Sequence, residues 1–60
     1  MNLKELRESK GFTQRCVADM IGVDVATYNR YERGKYKISK TVLLALSIIF
    51  AVDPNKIKIN

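Results

Sequence analysis

Among the charged side chains that could do chemistry in this chain, cations outnumber carboxylates by eleven to six. Its sixty residues include no histidine and one cysteine, Cys16, and the six carboxylates are not clustered. General acid–base pairs and activated nucleophiles need such groups side by side, so an enzyme is not expected. The same inventory leaves no zinc cage and no disulfide, and no cofactor is expected. Cys16 falls at the start of an expected helix, where a thiol ionises more easily. An inert, partly exposed cysteine is the simpler reading. Against these absences stand eleven Lys and Arg and a net charge of +5. Between residues 24 and 40, Arg30, Arg33, Lys35, Lys37 and Lys40 outnumber Asp24 and Glu32, so +3 of the +5 falls there. A surplus of this kind suits a polyanion, either nucleic acid or an anionic membrane surface.

Those charges need elements to hold them. Apolar residues make up 47% of the chain, enough for a small core. A chain this short buries only about 60% of its surface on folding, so its stability is modest. One domain over residues 1–60 is expected. Asn2 with Glu5 three residues later has the spacing of a capping box, and the first helix stops before Gly11, with Leu3, Leu6 and Lys10 on one face. Thr13 caps a second helix, whose apolar positions Val17, Met20 and Ile21 end at Gly22. Asp24 caps a third, with Tyr28 and Tyr31 inward, ending at Gly34. Ser39 caps a fourth, and Asp53-Pro54 opens a short final helix. Residues 56–59 alternate charged and apolar like a strand edge, but four residues without a partner carry little weight. The expected class is all-α, with four or five short helices.

Residues 42–52 form one oily run, interrupted only by Ser47. Eleven residues fall short of the ~20 that span a membrane and fit a buried core helix. Lys4, Glu5, Arg7 and Glu8 break up any apolar stretch of a signal peptide at the start. With one lone thiol and no export signal, a cytoplasmic location is expected. Binding to a membrane surface needs a basic amphipathic helix, whereas these basic residues lie on one helix and in the loop after it.

The most informative stretch runs from residue 14 to residue 31. Two helices crossing steeply through a tight turn need a small residue at the crossing and one that tolerates positive φ at the turn. Ala18 and Gly22 meet those needs, and Val17, Ile21, Val23, Tyr28 and Tyr31 stand where inward anchors belong. The matching residues are Arg7, Gly11-Phe12-Thr13-Gln14, Val17-Ala18 and Ile21-Gly22-Val23-Asp24. They continue through Thr27-Tyr28-Asn29-Arg30-Tyr31-Glu32-Arg33-Gly34-Lys35 to Leu43, Leu46, Phe50 and Val52. In this order the chain resembles the phage-repressor (Cro-like, Xre-like) helix-turn-helix family over roughly residues 3–57. Each element alone is weak; the ordered set is specific.

The resemblance implies a compact lambda-repressor-like DNA-binding fold, with a helix-turn-helix at about residues 14–33. Helix 24–33 would lie in the major groove with its N-terminal half toward base edges. Base contacts would come from Gln14, Val25, Ala26, Thr27, Asn29 and Arg30. Arg30 has the strongest chemistry, since a guanidinium grips O6 and N7 of guanine with two bonds. Asn29 either pairs with adenine or points past the base edges. Val25 and Ala26 offer apolar contact suited to a thymine methyl. Many members carry Gln or Ser there, so base reading in this chain leans on Arg30. Gln14 would brace the recognition helix and touch the DNA backbone or an outer base. Helix starts at Thr13 and at Ser39-Lys40 would meet phosphates, joined by Arg33, Lys35, Tyr36 and Lys37. Asp24 is a cost in such a groove unless its carboxylate folds back as the N-cap.

Structural readings stand beside these. The basic residues also read as a solvated face. Arg7 and Glu32 resemble the family's internal ion pair, a structural and not a DNA-contacting role. Tyr28 and Tyr31 read as core with hydroxyls at the surface, and Met20 as core filler. Leu43, Leu46, Ser47 and Phe50 would face the core, leaving Leu44 and Ile48 on another face, with Ile57 and Ile59 near in sequence. Either the last helix covers Leu44 and Ile48, or these four residues form a two-fold homodimer interface. The leading expectation is a dimeric, sequence-specific regulator of transcription, most simply a repressor, binding double-stranded DNA at a palindromic site. The alternative is a protein-binding module on the same fold, such as an antitoxin or anti-repressor. No small-molecule effector is evident.

Overall fold

The helices begin where their capping side chains stand. A computed structural model describes residues 2–57, and its elements are α1 (Leu3–Ser9), α2 (Gln14–Ile21), α3 (Val25–Glu32), α4 (Lys40–Phe50) and a 3-10 turn, Pro54–Lys56. Asn2 and Glu5 form the reciprocal box at 2.8 and 3.0 Å. Thr13 accepts from the Cys16 N–H at 3.1 Å, Asp24 from Thr27 at 2.7 Å, Ser39 from Val42 at 3.2 Å and Asp53 from Asn55 at 2.8 Å. Each bond satisfies a donor that a helix start leaves without an intrahelical partner. All five caps expected from the sequence are present.

The helix ends share one closure. After α3, the Gly34 N–H donates to Tyr31 O at 3.3 Å and the Lys35 N–H reaches back to Arg30 O at 2.9 Å. After α2, the Gly22 N–H donates to Asp19 O and the Val23 N–H to Ala18 O at 3.0 Å. This is the Schellman pattern, which needs a left-handed residue, and Gly22 takes it at φ 78°. At α4 the same closure runs from Val52 N–H to Ser47 O, but the left-handed residue is Ala51 at φ 54°. No glycine marks that stop; its only sequence signal is Asp53-Pro54 just beyond.

The four helices and the turn enclose Leu3, Leu6, Val17, Ala18, Tyr28, Ile38, Leu46, Phe50 and Ile57. Phe12 flanks Phe50, with ring centroids 6.5 Å apart. Ala18 is 1% exposed, so α2 carries a methyl where a larger side chain would hold its neighbours away. Ser47 is buried inside the oily helix and its hydroxyl donates to Leu44 O at 2.7 Å, which satisfies it locally. None of the described helices is long and apolar enough to cross a membrane.

Three expectations need correction. Met20, expected as core, is 47% exposed, because α2 turns Val17 and Ala18 inward and leaves Met20 outside that face. Ile57, expected beside Leu44 and Ile48 on an interface, is buried in the core, since the Pro54–Lys56 turn folds it back against α4. Tyr28 is core, but its hydroxyl is enclosed and does not reach the surface. Leu44 and Ile48 stay 44% and 79% exposed, so the turn leaves them uncovered. Ile59 lies outside the described residues.

Candidate nucleic-acid interface

A chain of polar contacts ties α3 to the rest of the molecule. Arg7 Nε donates to Glu32 Oε2 at 2.6 Å, and Arg7 Nη2 lies 3.4 Å from Oε1. The third guanidinium nitrogen, Nη1, holds the Phe12 carbonyl at 2.9 Å, so Arg7 also fixes the loop before α2. Both side chains are buried, and the bidentate geometry is what makes such a pair tolerable. Glu32 Oε1 also accepts from Gln14 Nε2 at 3.1 Å, and Gln14 Oε1 accepts from Asn29 Nδ2 at 3.3 Å. The carboxylate thereby orients the Gln14 amide, and Gln14 orients Asn29. One Asn29 donor is committed to this brace.

The charges respond to these contacts. Burial alone would raise the Glu32 carboxyl, but the Arg7 guanidinium, the adjacent Tyr28 hydroxyl and the Gln14 amide together hold it below its usual range. Arg7 is held further up by its bond to Glu32. Burial, and then the neighbouring carboxylate, push the Tyr28 hydroxyl well above the ordinary phenol value. Asp24 is held below the usual carboxylate range by Thr27, which fixes the charge as an N-cap folded onto its own helix.

Outward from this brace, Gln14, Val25, Ala26, Asn29, Arg30 and Arg33 line one open depression. The structure therefore gathers six of the residues expected to meet DNA onto one surface. Thr27 stands apart from it, half-buried with its N–H on Asp24. Thr13 and Ser39 start α2 and α4, and Lys35, Lys37 and Lys40 are exposed along the chain after α3. Tyr36 packs edge-on against Tyr31, with centroids 6.4 Å apart, and the Arg30 guanidinium lies over the Tyr36 ring at 5.4 Å. Sequence reasoning missed that stacking. Its only trace was Gly34, whose reversal brings residue 36 back toward residue 30.

This arrangement can do little covalent chemistry. It offers a fixed amide pair, two guanidinium groups, a few methyl groups and helix N-termini, which suits a ridged anionic surface with hydrogen-bonding edges. Comparison with known proteins agrees. Over 55 residues the chain is 38% identical to the propionyl-CoA carboxylase regulator of Cereibacter sphaeroides, a match covering 92% of this chain and 12% of that protein. It is 40% identical over 51 residues to the SPbeta prophage-derived uncharacterized HTH-type transcriptional regulator YonR of Bacillus subtilis, covering 85% of this chain and 47% of that one. The chain thus spans less than half the length of either relative. Among solved structures, the restriction-modification controller protein C.AhdI from Aeromonas hydrophila superposes with a TM-score of 0.81 at 32% identity, covering 88% of this chain and 80% of that one. The helix-turn-helix family model matches residues 3–57, and the chain belongs to that family of DNA-binding transcriptional regulators.

Proposed function

We propose that this chain is a sequence-specific transcriptional regulator that docks α3 in the major groove of an operator. The observation that carries this reading is the depression in which Gln14, Val25, Ala26, Asn29, Arg30 and Arg33 come together. Arg30 supplies the main base contact, to O6 and N7 of a guanine. Asn29 presents what its brace to Gln14 leaves free, and Val25 and Ala26 meet thymine methyl groups. Thr27 lies at the edge of this set. Thr13, Arg33, Lys35, Tyr36, Lys37, Ser39 and Lys40 engage phosphates on either side, the helix starts through their N–H groups and the cations through charge.

The regulator acts as a homodimer on a palindrome, and most simply as a repressor that occludes a promoter. Ile48 and Leu44 support a dimer because they are among the most exposed large apolar side chains and share α4. Two copies joined there would present two recognition helices to successive turns of DNA. The same exposed residues support a second reading, a protein-binding module such as an antitoxin or anti-repressor on this fold.

Selection of bound DNA from a random pool tests both. A palindrome with half-sites about 10 base pairs apart supports the dimeric regulator. No enrichment, together with a stable hetero-complex, supports the protein-binding module.

A further inference from the structure

Arg30 is the cation that the proposed function relies on most, and it projects from an exposed helix face. A long arginine there samples many rotamers, and ordering it on DNA weakens the contact it makes. Among the described residues the Arg30 guanidinium has no hydrogen-bond or ion-pair partner. Its guanidinium instead lies over the Tyr36 ring, 5.4 Å from the centroid and within cation–π range. Tyr36 does not float. Its ring meets Tyr31 edge-on at 6.4 Å and 69°, and Tyr31 belongs to the half-buried layer packed on the core. The backbone closes the same loop, since the Lys35 N–H, one residue before Tyr36, donates to the Arg30 carbonyl at 2.9 Å. Ring and guanidinium are therefore placed by the helix terminus itself.

We infer that Tyr36 is a positioning residue for base reading: its ring holds the Arg30 guanidinium in place before DNA arrives. This rests on the proposed role of α3 and adds to it how the reading side chain is kept ordered. The chemistry favours the arrangement. A cation–π contact ties none of the five guanidinium N–H donors to an oxygen acceptor, so they remain available for a guanine edge. A salt bridge would occupy those same donors. Tyr31 supplies the wall that keeps the Tyr36 ring from turning away.

The test measures base preferences on a randomised DNA pool for the wild type, Tyr36→Phe, Tyr36→Leu, Arg30→Ala and the Arg30→Ala/Tyr36→Leu double variant. Arg30→Ala is expected to blur one base position. Tyr36→Leu should weaken the preference at that same position about two- to fivefold, over and above any uniform loss from its phosphate contact. Tyr36→Phe keeps the ring and should discriminate like the wild type. In the Arg30→Ala background, Tyr36→Leu should change the base preferences no further. In the free protein, the Arg30 side-chain protons should show a ring-current shift in NMR spectra that Tyr36→Leu abolishes and Tyr36→Phe retains. If Arg30→Ala blurs a position and Tyr36→Leu does not, the inference falls while the reading of α3 stands. Uniform weakening by Tyr36→Leu with base preferences intact also overturns it, leaving Tyr36 a backbone contact. If Arg30→Ala leaves all preferences unchanged, the reading of α3 falls and the inference falls with it.

Discussion

Arg7 on α1 and Glu32 at the end of α3 form a bidentate ion pair, 2.6 Å at its shorter contact, with both side chains buried. The pair anchors the C-terminal end of α3 to α1. Its carboxylate is also the root of the Gln14–Asn29 brace, so one interaction serves both stability and the proposed binding surface. Removing Arg7 leaves a buried, unpaired carboxylate, and Arg7→Met should cost about 3–5 kcal/mol. That is a large fraction of what a small domain has. Urea denaturation monitored by circular dichroism measures it, and a loss below about 1 kcal/mol would show that the pair contributes little.

Stability should fall at both ends of the pH scale, for different residues. Glu32 has its folded pKa lowered, so its contribution is present above the ordinary carboxyl range and is lost as pH falls through the lowered value. Asp24 adds to the same acid limb. Tyr28 has its folded pKa raised, so its contribution is present below the ordinary phenol value of 10.0 and is lost as pH rises beyond it. Tyr28→Phe should flatten the alkaline limb and change neutral-pH stability by no more than about 1 kcal/mol, because the enclosed hydroxyl has no partner within hydrogen-bonding geometry and acts on Glu32 only as a nearby dipole. Urea midpoints from pH 3 to pH 11 would reveal an unchanged alkaline limb if this assignment is wrong.

Two helix ends predict substitutions of opposite sign. Ala51 holds φ 54°, a conformation costly for any residue with a Cβ, and Ala51→Gly should stabilise by roughly 0.5–1 kcal/mol. Gly22 holds φ 78° with open space where a Cβ would go, so Gly22→Ala should cost about 1–2 kcal/mol through backbone strain alone. Thermal melts of the two variants should move in opposite directions.

On DNA, two cations should behave differently. Arg30→Ala should cost about 1–3 kcal/mol on the preferred site and relax one base position. Lys35→Ala should weaken binding to all sequences and reduce the salt slope by about one. Titrations at several salt concentrations, on selected and random duplexes, separate the two effects. Equal behaviour of the variants would contradict the assigned roles.

Ile48 is 79% exposed, so replacing it should not disturb the monomer fold. Ile48→Glu is expected to convert a dimer to monomer in sedimentation experiments, with helicity unchanged and operator affinity reduced. If sedimentation is unaltered, α4 is not the dimer surface.

Some of this was readable along the chain and some was not, and distance in sequence separates the two. Caps at Asn2, Thr13, Asp24, Ser39 and Asp53, and the stops at the glycines, depend on bonds between residues at most five apart. Local propensity therefore sufficed for them. Asp53-Pro54 signalled that α4 ends, but the left-handed residue at Ala51 was hidden because no glycine marks it. The Arg7–Glu32 pair, 25 residues apart, could be named only through family resemblance.

The sequence by itself determined where the helices begin, where most of them end, the cationic stretch after residue 24 and the family to which the chain belongs. Those properties live in short-range bonds and in ordered spacing. Tertiary structure alone decided that Met20 is outside and Ile57 inside, that the Gln14 amide is set between Glu32 and Asn29, and that Tyr36 lies under Arg30. A side chain's composition and periodicity bound where it can point. Which neighbour it meets depends on the angle at which helices cross, and that angle is set by the whole core together.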